Sequence, residues 1–422
     1  MKKTKTPTNR SNRVQTEIFK KIDSYKKYAI KLQESLIKIP SISPQDGGKG
    51  EYDKAQVLLK ELKKLKFDQI KIINAPDKRA KKGVRPSIVA IYEGKNSNKT
   101  LWIMSHTDTV AASNPEQWKT PPFKAVVKGD KIYGRGSQDN NQGIVSSLLT
   151  TKALIEIGQR PPVNVGLLFT ADEENGSKFG IEHILAKHRK LFSKNDMFII
   201  PDAGNSSGTF VEIAEKSMLW FKFTVTGKAA HSSDPHLAVN SLNAAGHLIV
   251  NLEKLNKKFG KSDKVFVPPA SSFECTKIES NASSVNSIPG ETIIYADCRI
   301  LPNYKLSAVE KEVKHIAKQT AQKHKVKIKV ETINYRQTPK PTSVKADIVK
   351  LILPAVKKVY RAKPKPQGIG GGTIATFTRK AGFDTVVYQR NDMMDHMIDE
   401  YCKISNMLGD AKVFACAIME IR

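Results

Sequence analysis

The chain has 422 residues, of which 39% are hydrophobic, so it can fill folded cores and intrinsic disorder is excluded as its default state. Its formal net charge of +29 bears on solubility and on the choice of partners rather than on the fold. No apolar run approaches the roughly 20 residues that cross a bilayer, and the basic N-terminus lacks the apolar stretch of a secretory signal, so we expect neither a membrane protein nor a secreted one.

The first half of the chain alternates helical and strand-like patterns after a basic segment, residues 1–15, that we predict to be a disordered tail. Apolar periodicity predicts helices at 17–37, 52–65 and 143–157, and strands at 69–73, 87–92, 100–104, 164–169 and 198–200. Strands that alternate with helices indicate an α/β domain with a mostly parallel sheet and helices on both faces. A chain of this length is expected to hold two domains.

The pattern changes near residue 216, where a different order of elements begins. Strands are predicted at 218–226, 274–279, 293–300 and 326–333, and helices at 240–255 and 308–324. This β-α-β-β-α-β order resembles a small ferredoxin-like sandwich. Further on, helices are predicted at 348–360, 374–380 and 404–418, and a strand at 385–388. We therefore predict a larger domain in two parts, residues 16–215 and 336–422, interrupted by an inserted domain of residues 216–335.

The lysines are spread along the whole chain, and three explanations of the positive charge stay open. They are a solvated surface, the attraction of anionic substrates or an acidic partner, and nucleic-acid binding. The third is the least favoured, because the sequence has no recognition motif of the usual kinds. Four cysteines without a C-x-x-C spacing indicate reduced thiols, so we expect a cytoplasmic protein.

Acids and histidines follow three of the apolar strands, at the point where each strand ends. They are His106 and Asp108 after the strand at 100–104, Glu173 and Glu174 after the strand at 164–169, and Asp202 after the strand at 198–200. Ligands of open α/β sheets bind at the carboxyl ends of the strands. If these strands are parallel, the side chains therefore meet at one edge of the sheet.

Imidazole nitrogens and carboxylate oxygens together form a ligand set that zinc accepts. Two cations about 3.5–4 Å apart need a carboxylate between them, and a carboxylate that binds neither cation can take a proton from water. Adjacent Glu173 and Glu174 could divide these tasks. Each element alone has an ordinary explanation as a polar turn or a solvated helix start. Their shared position after apolar strands favours a metal site.

Five short motifs in a fixed order carry a resemblance to one enzyme family. They are HTDTV at 106–110, GRGSQD at 134–139, DEENG at 172–176, PDAG at 201–204 and DH at 395–396. The chain resembles the aminoacylase, carboxypeptidase G and succinyl-diaminopimelate desuccinylase family of dinuclear zinc metallopeptidases, from about residue 17 to its end. The resemblance implies a metal-dependent hydrolase of amide bonds. It also implies a zinc-exopeptidase-like catalytic domain and an inserted ferredoxin-like domain that acts as lid and dimerisation domain.

The resemblance further implies which residues bind the metal. Asp139 would bridge two divalent ions, with His106 and Asp202 completing one site and Glu174 and His396 the other. Zinc is the first expectation for both ions, although cobalt and manganese also accept such ligands.

Three more roles follow from the same resemblance. Asp108 would orient the ring of His106, and Glu173 would be the general base that takes a proton from water and passes it to the leaving amine. His231 of the inserted domain would reach into the site of a partner subunit and stabilise an oxyanion, which implies a homodimer.

A further set of residues resembles the family's binders of a substrate carboxylate. They are Asn286, Arg299, Gly371, Gly372 and Thr373. Arginine suits a carboxylate through its two-pronged donor fork, and glycines before a helix let the backbone approach an anion. Without the resemblance, the glycine-rich segment could equally be a flexible turn.

The expected substrate is a small molecule with a carboxylate, either a dipeptide or an N-acyl amino acid. Asp at position 202 is more typical of the peptidase-like relatives, whereas desuccinylases and aminoacylases more often have Glu there. A succinylated diamino acid and a carrier-bound intermediate stay open as alternatives. Two rivals of other classes are a non-catalytic metal-binding relative and a nucleic-acid-associated protein.

Overall fold

A computed structural model of the protein describes residues 7–279, 281–282 and 284–421. The chain divides into two compact units. Unit 1 covers the described residues of Met1–Ile213, Thr342–Pro366 and Thr373–Arg422, and unit 2 covers those of Ala214–Pro341 and Gln367–Gly372. The sequence predicted an inserted domain of residues 216–335; that this segment acts as a lid or in dimerisation stays a prediction.

Helices and strands alternate along much of the described chain. The α-helices are α1 (Pro7–Ser24), α2 (Lys26–Ile37), α3 (Tyr52–Lys64), α4 (Asn141–Glu156), α5 (Ile181–Lys187), α6 (Ser241–Leu252), α7 (Lys254–Lys258), α8 (Leu306–His324), α9 (Asp347–Tyr360), α10 (Ala375–Lys380) and α11 (Ile404–Met419). The strands are β1 (Gln69–Pro76), β2 (Val84–Tyr92), β3 (Asn96–His106), β4 (Val126–Lys128), β5 (Lys131–Tyr133), β6 (Val163–Thr170), β7 (Met197–Asn205), β8 (Phe210–Glu215), β9 (Ser217–Thr226), β10 (Ala230–His231), β11 (Ser272–Ile278), β12 (Ser287–Ile288), β13 (Glu291–Ile300), β14 (Lys327–Arg336), β15 (Lys365–Ile369), β16 (Asp384–Arg390) and β17 (Tyr401–Lys403).

The first helix begins at Pro7, ten residues before the predicted start of helix. Proline is favoured in the first turn of a helix, and within this helix Gln15 is buried and donates from Nε2 to Cys416 Sγ at 2.7 Å. The predicted disordered tail over residues 1–15 is therefore wrong from Pro7 onward, because the helix continues through polar and basic residues that have no apolar spacing. Residues 1–6 of that predicted tail lie outside the described residues.

A large sheet forms the centre of unit 1, with the strand order β1-β2-β6-β3-β7-β16-β8-β15. Strand β3 pairs in parallel with both β6 and β7, and β16 pairs in parallel with β7. Every residue of β6 is buried, as expected for a strand that is covered on both faces. The sheet and its helices confirm the predicted α/β class, and the three strands predicted to end at site residues are parallel neighbours.

One glycine allows close packing inside this sheet. A Cβ atom on Gly166 would lie 2.3 Å from the ring of Trp102, which is fully buried. Any larger residue at position 166 would therefore clash with the indole.

Unit 2 contains a four-stranded antiparallel sheet in the order β11-β13-β9-β14. Its main elements follow one another as β9-α6-β11-β13-α8-β14, in the predicted β-α-β-β-α-β order. Side chains of β9 alternate between buried and partly exposed, so one face of the sheet packs on the helices. The shared core includes Phe221 and Phe223 of β9, Leu248 of α6 and Val313 of α8.

No helix within the described ranges is both long enough and apolar enough to cross a membrane.

Candidate active site

Three parallel strands of unit 1 end next to one another and position the first group of site residues. His106 is the last residue of β3 and lies opposite Thr170, the last residue of β6. Glu173 and Glu174 follow Thr170 in a turn, and Asp202 lies towards the end of β7. The parallel pairing brings these residues to one edge of the sheet, as the sequence predicted.

The carboxylate of Asp139 lies between two histidines. Its Oδ1 is 2.8 Å from His106 Nε2, and its Oδ2 is 3.2 Å from His396 Nε2. Each carboxylate oxygen thus faces a different imidazole nitrogen. This is the arrangement that a carboxylate needs if it is to bridge two cations.

The remaining acids lie beside these two histidines. Asp202 Oδ1 is 3.4 Å from His106 Nε2, and Glu174 Oε2 is 3.0 Å from His396 Nε2. Ligand atoms of His106, Asp139 and Glu174 all lie within 4.8 Å of one another. The side chain of His106 is only 1% exposed, whereas that of His396 is 55% exposed, so the site opens to solvent on the His396 side.

The acids perturb one another's protonation. Burial and the nearby Asp139 raise the pKa of Glu174 to about 7. Hydrogen bonds to Asp139 and Glu174 raise the pKa of His396 to about 11. Burial, followed by the charge of Asp202, raises the pKa of Glu173 well above its usual value. Negative charge is therefore concentrated in a place that water screens poorly.

The donor set of this cluster fits divalent cations. It combines imidazole nitrogens with carboxylate oxygens, the ligand types that zinc, cobalt and manganese accept. Glu174 Oε1 is buried and has no hydrogen-bond partner within the described part of the chain. A buried oxygen of this kind normally has a partner, and a cation between the acids would provide one.

Asp108 contacts both the ring of His106 and the turn that carries Glu173 and Glu174. Its Oδ1 lies 3.3 Å from His106 Nδ1, on the side of the ring opposite Asp139. Its two oxygens also accept hydrogen bonds from the backbone N–H groups of Glu173 at 3.1 Å and Glu174 at 2.9 Å. Asp108 therefore contacts the ring of His106, which it was predicted to orient, and also fixes the turn that carries both glutamates.

Two residues of the site were not predicted from the sequence. Asn140 donates from Nδ2 to Asp202 Oδ1 at 2.7 Å and to the carbonyl oxygen of Pro201 at 2.6 Å, which holds Asp202 towards the cluster. Glu400 is fully buried and accepts hydrogen bonds from the loop that carries Asp139. Asn140 directly follows Asp139, and Glu400 lies four residues after His396. Neither residue belongs to a segment with apolar periodicity, so no pattern in the sequence marked them as part of the site.

Predicted substrate residues of unit 2 form two small groups. In one group, Asn286 Nδ2 is 3.3 Å from His231 Nε2, and His231 pairs with Ser287 across β10 and β12. In the other group, Arg299 donates to the carbonyl oxygen of Gly370 at 3.0 Å and pairs with Asp297 at 2.8 Å.

The glycine-rich segment before α10 is shared between the two units. Gly371 and Gly372 belong to unit 2, and Thr373 belongs to unit 1. A Cβ atom on Gly372 would lie 3.2 Å from Arg336 Nη1, so a larger residue would displace that guanidinium group. Thr373 Oγ1 accepts a hydrogen bond from the N–H of Ala375 at 3.1 Å, at the start of the helix.

The chain is similar to known proteins over nearly its whole length. Residues 102–420 match the model of Peptidase family M20/M25/M40. An uncharacterised metallohydrolase from Methanocaldococcus jannaschii is 38% identical over 404 residues, which cover 92% of this chain and 97% of the relative. A succinyl-diaminopimelate desuccinylase from Pelagibacter ubique is 26% identical over 394 residues, which cover 92% of this chain and 97% of that protein.

The fold is also found among solved structures. The dipeptidase Dug1p from Saccharomyces cerevisiae has a TM-score of 0.70 at 20% identity, over 96% of this chain and 98% of the dipeptidase. The family match and the 38% identical relative each cover most of the chain. The chain therefore belongs to Peptidase family M20/M25/M40 and is a metal-dependent hydrolase of that family.

Proposed function

We propose that this protein hydrolyses an amide bond in a small substrate that carries a free carboxylate, either a dipeptide or an N-acyl amino acid, and that it uses two divalent cations to do so. The observation that carries the proposal is the position of Asp139, whose two carboxylate oxygens face two different histidines.

The proposed ligands divide into two sets that share one residue. His106 and Asp202 hold one ion, Glu174 and His396 hold the other, and Asp139 belongs to both. Zinc is the first choice, with cobalt and manganese as alternatives. When bound, such ions polarise a substrate carbonyl and lower the pKa of water towards about 7.

The chain itself supplies the proton transfer. Glu173 lies next to the ligand Glu174, and its raised pKa suits a carboxylate that takes a proton from water and passes it to the leaving amine. Its backbone N–H is bonded to Asp108, so the turn that carries Glu173 is held in place before the substrate binds.

Binding of the substrate carboxylate is assigned to unit 2 and the segment before α10. Arg299 offers a guanidinium fork, and Asn286 offers an amide; Gly371, Gly372 and Thr373 add backbone and hydroxyl groups. We further propose a cytoplasmic homodimer formed through unit 2, in which the partner's His231 stabilises the oxyanion. The exposed position of His231 and its contact with Asn286 are consistent with this role.

A second candidate substrate is an N-succinyl diamino acid. It is favoured by the relatives named as succinyl-diaminopimelate desuccinylases, which are 26–27% identical over at least 90% of this chain. Of the substrates, the dipeptide is favoured over the succinylated compound because Asp, rather than Glu, is present at position 202.

The test is a hydrolysis assay with the full chain after removal of metal and reloading with zinc, cobalt or manganese. The panel contains dipeptides, N-acetyl amino acids and an N-succinyl diamino acid, each with a matched analogue in which the carboxylate is amidated. We expect amine release that depends on added metal and on the free carboxylate. A protein that binds both ions and hydrolyses none of these compounds would overturn the proposal and favour a non-catalytic metal-binding protein.

A further inference from the structure

Glu400 is a fully buried carboxylate that is neither a proposed metal ligand nor a proposed proton carrier. It accepts hydrogen bonds from three parts of the loop before α4: the N–H groups of Gly136 at 2.9 Å, Gln138 at 2.9 Å and Asp139 at 3.1 Å. It also pairs with Arg135 Nη1 at 2.8 Å. The side chain of Glu400 therefore accepts from four donors of the 134–139 loop, which ends at Asp139, the proposed ligand of both ions.

The same loop is bonded to the segment that carries His396. Gln138 Nε2 donates to Asp395 Oδ1 at 2.6 Å, and Gln138 Oε1 accepts from the N–H of Asp392 at 3.1 Å. Arg135 Nη2 donates to the carbonyl oxygen of His396 at 3.3 Å. These bonds fix the segment of Asp139 relative to the segment of His396, although neither segment is helix or strand.

The other half of the site is held in a different way. His106 and Asp202 belong to the parallel strands β3 and β7. Asn140 fixes the carboxylate of Asp202, and Asp108 contacts the ring of His106. These restraints do not involve Glu400.

We infer that Glu400 is a positioning residue that gives the second metal site, formed by Glu174, His396 and the shared Asp139, its affinity. It acts through the backbone of the 134–139 loop rather than by touching the ion. This inference rests on the proposed function, because it needs a site for two ions.

The physical reason lies in the number of acceptors that a carboxylate offers. The side chain of Glu400 has two oxygens that face four donors, whereas a glutamine has one oxygen and an NH₂ group that would face donors. Glu400→Gln therefore leaves buried N–H groups without acceptors and loosens the loop. Loss of a residue that orients a metal ligand typically lowers metal affinity by about 10- to 100-fold.

Unit 1 contains a matched control for this substitution. Glu212 of β8 is also fully buried and pairs with Arg379 of α10 at 2.8 Å. This pair belongs to neither of the segments that carry Asp139 and His396. Glu212→Gln removes a buried charge of the same kind from the same unit. Any loss of metal that follows from weaker folding alone should appear in both variants.

The experiment titrates the metal-free full chain with cobalt and follows the visible absorption bands, with zinc competition by equilibrium dialysis and thermal unfolding by circular dichroism. We expect two ions in the wild type and in Glu212→Gln. In Glu400→Gln we expect the ion held by Glu174 and His396 to bind about 10- to 100-fold more weakly, and the other ion, which shares Asp139 but keeps His106 and Asp202, to weaken less. The affected cobalt band should be the one that His396→Ala loses.

Gln138→Ala provides a second variant if Glu400→Gln does not fold. It removes both side-chain bonds of Gln138 to the 392–395 segment while the carboxylate of Glu400 stays in place, and it should weaken the same ion. Equal binding of both ions in wild type and variant, or the same loss in Glu212→Gln, would overturn this inference and leave the proposed function standing. A wild-type chain that binds no divalent cation would overturn both.

Discussion

The side chain of Asp108 accepts a hydrogen bond from the backbone N–H of Glu173 at 3.1 Å, although the two residues belong to different strand ends. The same carboxylate faces His106 Nδ1. One buried acid thus fixes both a proposed metal ligand and the proposed general base, so the geometry of proton transfer depends on a residue that performs no chemistry of its own.

Asp108→Ala should lower both metal affinity and turnover. The substitution frees the ring of His106 and leaves the N–H groups of Glu173 and Glu174 without their acceptors, so we expect about a 10- to 100-fold weaker affinity for metal. Equilibrium dialysis with zinc measures this effect. Asp46→Ala is the matched control, because exposed Asp46 contacts Asn175 of the same turn and should change affinity little. Wild-type affinity in Asp108→Ala would contradict this positioning role.

Glu173→Ala should abolish turnover and leave both ions bound. Glu173 is assigned to proton transfer and not to metal binding, so its loss removes the base without removing a ligand. We expect a fall in kcat of about 10²–10⁴-fold with a metal content near two ions per chain, measured by elemental analysis after gel filtration. A loss of metal in this variant would show that Glu173 is a ligand and that the assignment of the two glutamates is wrong.

Metal binding should strengthen as the pH rises. In the metal-free protein, hydrogen bonds to Asp139 and Glu174 raise the pKa of His396 to about 11. At pH 6–8 this imidazole is therefore protonated, and a cation must displace the proton. We expect the apparent affinity to rise roughly tenfold per pH unit for each proton released. Calorimetry in buffers with different ionisation enthalpies counts these protons. Binding without proton release at pH 7 would contradict the proposed role of His396.

Arg85→Met should destabilise unit 1 strongly. Arg85 is fully buried, donates from Nε to Glu51 Oε2 at 2.6 Å and lies 3.2 Å from Asp172 Oδ1, at the start of the turn that carries the two glutamates. Its removal leaves two buried acids without their cation, at a cost of about 3–5 kcal/mol in the free energy of unfolding. Denaturant unfolding measures this loss.

Arg79→Met is the matched control for that measurement. Arg79 also pairs with an aspartate, Asp77, at 2.9 Å, but its side chain is 50% exposed. Water screens an exposed pair, so we expect a much smaller change in stability. Equal losses in the two variants would show that burial of the Arg85 network is not the cause.

The strands beneath the site could be predicted from the sequence because each is a continuous apolar run. Strand β6 is buried throughout, β3 is buried over residues 100–106 and β7 over 197–201, and their carboxyl ends meet at one edge because they pair in parallel. His106 and Asp202 were found in this way. Asp139 and His396 lie on irregular segments, so for them only the family motifs gave a signal.

The start of the N-terminal helix and the role of Glu400 could not be predicted from the sequence. The basic composition of residues 1–15 indicated a tail, although α1 begins at Pro7 and runs through residues without apolar spacing. Glu400 gave no signal because three of its four partners are backbone N–H groups. Every residue except proline carries such a group, so no pattern of residue types marks the loop that will need an acceptor.

The class of fold, the apolar strands and the residue types that can bind metal follow from the amino-acid sequence, because burial and ligand chemistry depend on the identity of single side chains. That Asp139 faces both histidines and that Glu400 holds its loop is visible only in the folded chain. Those relationships join segments far apart in the chain, and a hydrogen bond between distant segments exists only once the packing of the whole unit has fixed both of its ends.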